Sequence, residues 1–145
     1  MGESPRSVLN PRLVLDTGAL IALERNDPRA FEQLRTASRA GYLTVVPTLV
    51  VMEALAGARD PQRLLQVLKA IDKELPLTPD VSHRVPGLRR RAGAGSDADA
   101  IVVLEALSAP GSAILTDDRE DIQSLLAAAD SQGRVPVLTV SPSRR

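Results

Sequence analysis

The 145-residue chain has no cysteine, no tryptophan, one phenylalanine, one tyrosine and one histidine. Without cysteine there is no disulfide framework and no thiolate-ligated zinc, and a lone His83 removes most histidine-based metal and nucleophile chemistry. Oxygen ligands are what remain. So few aromatic rings argue against recognition by stacking on nucleic-acid bases, and they leave the core to Leu, Val, Ile and Ala. Charge of one sign is missing too: eighteen basic and eighteen acidic residues give a formal net charge of zero. Any affinity for a polyanion must therefore be local. No apolar run approaches the roughly 18 residues of a membrane span. The opening Met1-Gly2-Glu3-Ser4-Pro5-Arg6-Ser7 lacks the apolar centre of a signal peptide, which makes cytoplasm the expected compartment.

This length fits one domain with a core of its own, spanning residues 1–145, with loose ends expected up to about Asn10 and over Ser141–Arg145. Between them the pattern predicts a strand over Leu13–Leu15, a short helix from about Gly18 to Arg25, and a helix capped by Asp27-Pro28 and stopped near Gly41. A second strand is expected over Tyr42–Val46. Helices then start at Pro47-Thr48, ending near Gly57, and at Asp60-Pro61, running to about Glu74. A third strand over Leu75–Thr78 precedes a helix from Pro79, which Pro86-Gly87 should kink or split. The remainder reads as a buried helix over Ser96–Leu107, a strand over Ala113–Thr116, a helix over Arg119–Ser131 and a strand over Val135–Val140. Strands separated by helices imply an α/β fold with a largely parallel sheet of about five strands, which binds ligands beyond the carboxyl ends of its strands.

What stands out in this frame is an acid beside each of four apolar runs: Asp16 after Leu13-Val14-Leu15, Glu53 after Leu49-Val50-Val51-Met52, Asp99 before Ala100-Ile101-Val102-Val103-Leu104, and Asp118 just past Ala113-Ile114-Leu115-Thr116. Carboxylates at the edge of a dry core are costly unless they converge on something positive, and a hydrated divalent cation is the usual partner. Helical spacing puts Glu53 on a face with Leu49, Val50, Ala56 and Gly57, and Asp99 with Val102, Val103 and Ala106, so both acids are expected to point inward. Taken singly, Asp16 and Asp118 would pass for helix caps, and Glu53 for a salt-bridged residue.

The strings Asp16-Thr17-Gly18-Ala19-Leu20, lone Glu53, Asp99-Ala100-Ile101-Val102-Val103 and Ile114-Leu115-Thr116-Asp117-Asp118-Arg119-Glu120-Asp121-Ile122 together resemble the PIN-domain ribonucleases. Among these, the chain is most similar to the VapC-type toxins of bacterial toxin–antitoxin pairs. The resemblance runs from about Leu13 to Val140. It implies a PIN-like three-layer sandwich and metal-dependent hydrolysis of RNA phosphodiesters, with Asp16, Glu53, Asp99 and Asp118 holding Mg²⁺ or Mn²⁺. It also implies an antitoxin partner and a homodimer. Thr17 is expected to donate to a carboxylate or a water, or else to cap the following helix.

Two positions stay open. Asp97 and Asp99 are two apart and cannot both face one ion within a helix, so Asp99 is taken as the ligand and Asp97 as a cap or a supporting residue. Asp117 competes with Asp118, and the resemblance favours Asp118. Arg84, Arg89, Arg90 and Arg91 form the one dense basic cluster, read either as a patch for RNA phosphates or as a solvated helix face. Rival readings are a PIN-fold or receiver-like binding module without catalysis, and an aspartyl-phosphate phosphatase using Asp16. The phosphatase is disfavoured because Thr17-Gly18 follows Asp16, without a second aspartate two positions on.

Overall fold

Short apolar runs become most of the strands of one sheet, the exception being the charged edge segment Lys73–Leu75. A computed structural model describes residues 10–129 and 135–140. Its strands are β1 (Arg12–Leu15), β2 (Leu43–Pro47), β3 (Lys73–Leu75), β4 (Ala113–Thr116) and β5 (Val137–Thr139), in the order β3-β2-β1-β4-β5. All four pairings are parallel, with Val14 opposite both Val45 and Ile114. Leu13, Val14, Leu15, Ile114 and Leu115 are fully buried, as expected of central parallel strands covered on both faces.

The helices are α1 (Thr17–Glu24), α2 (Pro28–Arg39), α3 (Thr48–Gly57), α4 (Pro61–Lys69), α5 (Pro79–Ala92), α6 (Asp97–Leu107) and α7 (Arg119–Ala128). They form two groups, α1 packing on α2, α3 and α4, and α6 packing on α5 and α7; each group also meets the sheet. The result is the expected three-layer α/β sandwich. Helix α6 is buried nearly all round, from Ala98 through Ala106 apart from Asp99, which makes it the central helix of its layer.

Several expected boundaries move. The helix expected to reach Glu74 stops at Lys69, and the third strand lies at Lys73–Leu75 rather than Leu75–Thr78. The cause is a side-chain tie that local pattern does not reveal: Asp72 accepts from Thr44 N at 2.8 Å and Thr44 Oγ1 at 2.9 Å, while its own amide donates back to Thr44 Oγ1 at 3.1 Å. Pairing with β2 thereby takes residues the helix pattern had claimed, and Thr78 is left to cap α5 by accepting from Val81 N. Pro86 does not split α5, which is continuous over Pro79–Ala92. Its exposed ring sits opposite a buried stripe of Val81, Val85 and Leu88, whose packing holds the helix together despite the missing amide donor. Strand β5 is shorter than expected, α7 ends at Ala128, and the expected loose ends fall outside the described residues save Asn10.

Strand order places the site. From β1 the chain moves to β2 and β3 on one side, then returns to β4 and β5 on the other, so the order reverses between β1 and β4. In an open parallel sheet, the loops leaving the carboxyl ends at such a reversal part and leave a crevice. The β1 and β4 ends lie side by side, with Leu15 opposite Leu115 and Asp16 N donating to Leu115 O at 3.1 Å.

Candidate active site

Asp16 follows β1 at this crevice and caps α1, its Oδ1 accepting from Ala19 N at 3.0 Å. Its other oxygen accepts from the hydroxyl of Thr116, the last residue of β4. Thr116 is fully buried, and its hydroxyl oxygen also accepts from Asp118 N at 2.9 Å. One hydroxyl thus joins the two strand ends. Asp16 is itself buried; burial pushes its carboxyl up to about 7 against the two hydrogen bonds that hold it down, with the charges of Asp117 and Asp99 adding to the rise.

Asp99 arrives from α6. Ser96 caps that helix by accepting from Asp99 N at 3.1 Å, and the Asp99 carboxylate accepts in return from Ser96 N at 3.1 Å, a reciprocal capping box. Burial raises the Asp99 carboxyl against the Ser96 hydrogen bonds, and the charges of Asp118 and Glu53 raise it further. Asp118 caps α7. Glu53 comes from α3, where its Oε1 accepts from Thr17 Oγ1 at 2.9 Å. Four elements therefore bring Asp16, Glu53, Asp99 and Asp118 within electrostatic reach of one another through Asp99. The ion pairs found among the described residues, Arg12–Glu105, Arg84–Asp80 and Arg89–Asp97, leave all four acids uncompensated.

A family model, the PIN domain, matches residues 13–127. The chain belongs to the PIN-domain family. Solved structures with a similar fold include a toxin–antitoxin complex from Klebsiella pneumoniae, 20% identical with a TM-score of 0.59, covering 75% of this chain and 88% of that one. VapBC2 from Rickettsia felis, bound to a DNA fragment from its promoter, is 9% identical with a TM-score of 0.61 and covers 89% and 98%. The PIN domain endonuclease Utp24 is 20% identical with a TM-score of 0.54 and covers 90% and 85%. No curated protein matches the chain.

Within this PIN domain several expected residues sit differently from their sequence reading. Glu53 is not on an inward apolar face. The buried side of α3 is Val50, Val51 and Ala54, and Glu53 lies exposed with Met52, Ala56 and Gly57, held at the crevice by Thr17. Thr17 donates to a carboxylate as expected but does not cap α1, because Asp16 does. Asp97 is not the cap of α6 either; Ser96 is, and Asp97 is ion-paired with Arg89 at 2.8 Å. Both members of the Asp117/Asp118 pair face the cluster, Asp118 adding its charge at Asp99 and Asp117 at Asp16; Asp117 also lies over Gly18, where an added Cβ would stand 1.9 Å from its Oδ1. A side chain at position 18 would therefore require the exposed Asp117 carboxylate to move. Of the four arginines, Arg84 is paired with Asp80 at 3.1 Å and Arg89 with Asp97, so the cluster is less free than its sequence reading.

Sequence reasoning missed Thr116 as more than a strand-end residue. Position alone, two residues before Asp118 and at the end of a strand parallel to β1, was the available signal. Asp121 was not singled out either, although desolvation and the charges of Asp118 and Asp99 raise its carboxyl.

The donor set suits a hard divalent cation. Asp16 and Asp99 are oxygen donors brought together against their charge, which a cation would relieve. Among the described residues no three acid or histidine side chains, as placed, form one ion-holding group. A small cation that keeps several of its waters and takes only one or two carboxylates directly fits that spread.

Proposed function

We propose that the protein is a metal-dependent endoribonuclease and the toxin of a VapBC-type pair, in which Asp16, Glu53, Asp99 and Asp118 hold Mg²⁺ or Mn²⁺, one or two of them directly and the others through the ion's waters. The observation that carries the reading is Asp16: a buried acid at the β1–β4 crevice whose charged neighbours are further acids. Membership of the PIN family and the fold shared with toxin–antitoxin complexes and a PIN endonuclease support it.

A bound divalent ion would supply an acidified water as nucleophile and neutralise charge developing on the phosphate during in-line displacement. The chain's own contribution is to hold the acids. Thr116 fixes Asp16 relative to Asp118, Thr17 fixes Glu53, and the Ser96 capping box fixes Asp99. Arg90 and Arg91, exposed at the end of α5, are the members of the basic cluster best placed to meet RNA phosphates. Met52, 60% exposed beside Glu53, adds an apolar contact at the rim. An antitoxin and a second copy of the chain are the proposed protein partners, and cytoplasm the proposed compartment; no helix among the described residues is long and apolar enough to cross a membrane.

The test is cleavage of RNA by purified protein with Mg²⁺ or Mn²⁺, repeated in EDTA and with Asp99→Asn. Metal-dependent cleavage that the substitution removes is the expected result. Undiminished cleavage in EDTA would overturn the metal mechanism, and co-purification with the product of an adjacent small reading frame checks the antitoxin.

A further inference from the structure

Arg89 belongs to the basic cluster by sequence, yet two of its guanidinium nitrogens are engaged within the chain. Its Nε donates to Gly95 O at 2.9 Å and its Nη1 to Asp97 Oδ1 at 2.8 Å, so it grips the chain on both sides of Ser96. The Gly95 carbonyl and the Ser96 amide belong to one peptide group. In a trans peptide the C=O and N–H point in opposite directions, and no cis peptide occurs among the described residues. Arg89 therefore holds one end of a rigid plane whose other end donates to Asp99 Oδ2 at 3.1 Å.

The turn that aims this plane depends on glycine. Gly95 has φ +87°, a conformation L side chains rarely adopt, and a Cβ there would lie 2.6 Å from Leu125 Cδ1. Only glycine allows the backbone to pass this close to α7 while aiming its carbonyl at Arg89. The preceding turn is shaped in the same way by Gly93, left-handed at φ 66°, which ends α5.

We propose that Arg89 is a positioning residue for Asp99, acting through the Gly95–Ser96 peptide and Asp97 rather than by touching RNA. The inference rests on the reading of Asp99 as a metal ligand. A planar guanidinium reaches two acceptors at once, which a lysine ammonium on a flexible stem does less well. The Arg89–Asp97 pair is 43% and 63% exposed on its two sides, so it adds little to global stability. Its effect should appear in the order of the α6 N-terminus and in metal affinity, not in the melting temperature.

Amide hydrogen exchange in metal-free buffer tests the geometry. Arg89→Ala should speed exchange at Ser96 several-fold while Arg90→Ala leaves it at the wild-type rate. Calorimetry should then show Mn²⁺ affinity falling about tenfold in Arg89→Ala, as for loss of a residue that orients a ligand. Arg89→Lys should recover only part of that loss. Because both act on one peptide, Arg89→Ala with Asp97→Asn should be no worse than Arg89→Ala alone. Unchanged exchange at Ser96 would overturn the proposal. So would intact Mn²⁺ affinity together with a drop of about one in the salt slope of RNA binding, the signature of a lost phosphate contact. If the wild-type protein bound no Mn²⁺, the metal reading would fail, and exchange at Ser96 would still decide whether Arg89 holds this peptide.

Discussion

Two buried acids lie at opposite ends of the β1–β4 strand pair, and their surroundings differ in kind. Near the start of β1, Glu105 accepts from the Arg12 guanidinium at 3.0 Å, and the same nitrogen reaches Glu105 O and Ser108 Oγ while Arg12 N donates to Ser112 Oγ. Every charge there has a partner. Just past the end of β1, Asp16 meets one hydroxyl and one amide, and the nearest charges are other carboxylates. A buried acid with its own cation holds the fold together. A buried acid surrounded by acids costs stability until something positive arrives, and that contrast separates scaffold from site.

The largest expected effect comes from removing the uncompensated charge. Asp16→Asn should lower metal-dependent RNA cleavage by more than about 100-fold, beyond the range typical of residues that merely support a ligand. In EDTA the same variant should be more stable than wild type near neutral pH. The sign follows from the raised carboxyl: with a folded-state value of about 7 against an ordinary 3.8, the group favours folding below 3.8, and its contribution is lost as pH rises through about 7. Melting curves in EDTA should therefore fall across that window for wild type and stay flatter for Asp16→Asn. Wild-type activity in the variant, or an unaltered pH profile, would erase the distinction between the two ends.

The opposite response is expected at the other end. Arg12→Ala leaves Glu105 buried without its cation and should destabilise by about 2–3 kcal/mol, below the figure for fully buried pairs because the Arg12 side chain is 26% exposed. Chemical denaturation gives the loss. Cleavage per folded molecule should be retained, and a catalytic loss exceeding the folding loss would show that this end also serves the site.

Smaller effects sharpen the site itself. Thr116→Val removes the hydroxyl shared by Asp16 and Asp118 N while keeping its size, and should cut activity about tenfold. Thr116→Ser should keep most of it, so an equal loss in both variants would mean that packing matters rather than the hydroxyl. The mildest change is Gly18→Ala. Its Cβ must displace the Asp117 carboxylate, which is exposed and free to swing aside, so activity should change by only about two- to threefold and the melting temperature hardly at all. A loss as large as that of Asp16→Asn would make Asp117, in place of Asp118, the acid that matters.

Local signals in the chain already mark most of the scaffold. The apolar runs at Leu13–Leu15 and Ala113–Thr116 could be little else than buried strands, and Asp-Pro pairs at 27–28 and 60–61 mark helix starts because aspartate caps and proline tolerates the first helical position. The acids could be named for the same reason: a charge beside a buried element conflicts with local physics, and the conflict is visible one residue at a time. Less legible was anything that depended on a partner far along the chain. Asp72 shortened a helix by bonding Thr44, and packing on Val81, Val85 and Leu88 overrode Pro86.

Residue types and spacing by themselves determined an aliphatic parallel α/β domain with oxygen donors and little else for chemistry. Tertiary structure decided how those donors are used. Thr116 reaches Asp16 across 100 residues of sequence, Thr17 turns an exposed Glu53 to the crevice, and Arg89 is spent on the Gly95–Ser96 peptide instead of solvent. The reason is physical: helix and strand periodicity depends on neighbours a few residues away, whereas a carboxylate's charge state and aim depend on burial and on hydrogen-bond partners that only the strand order brings together.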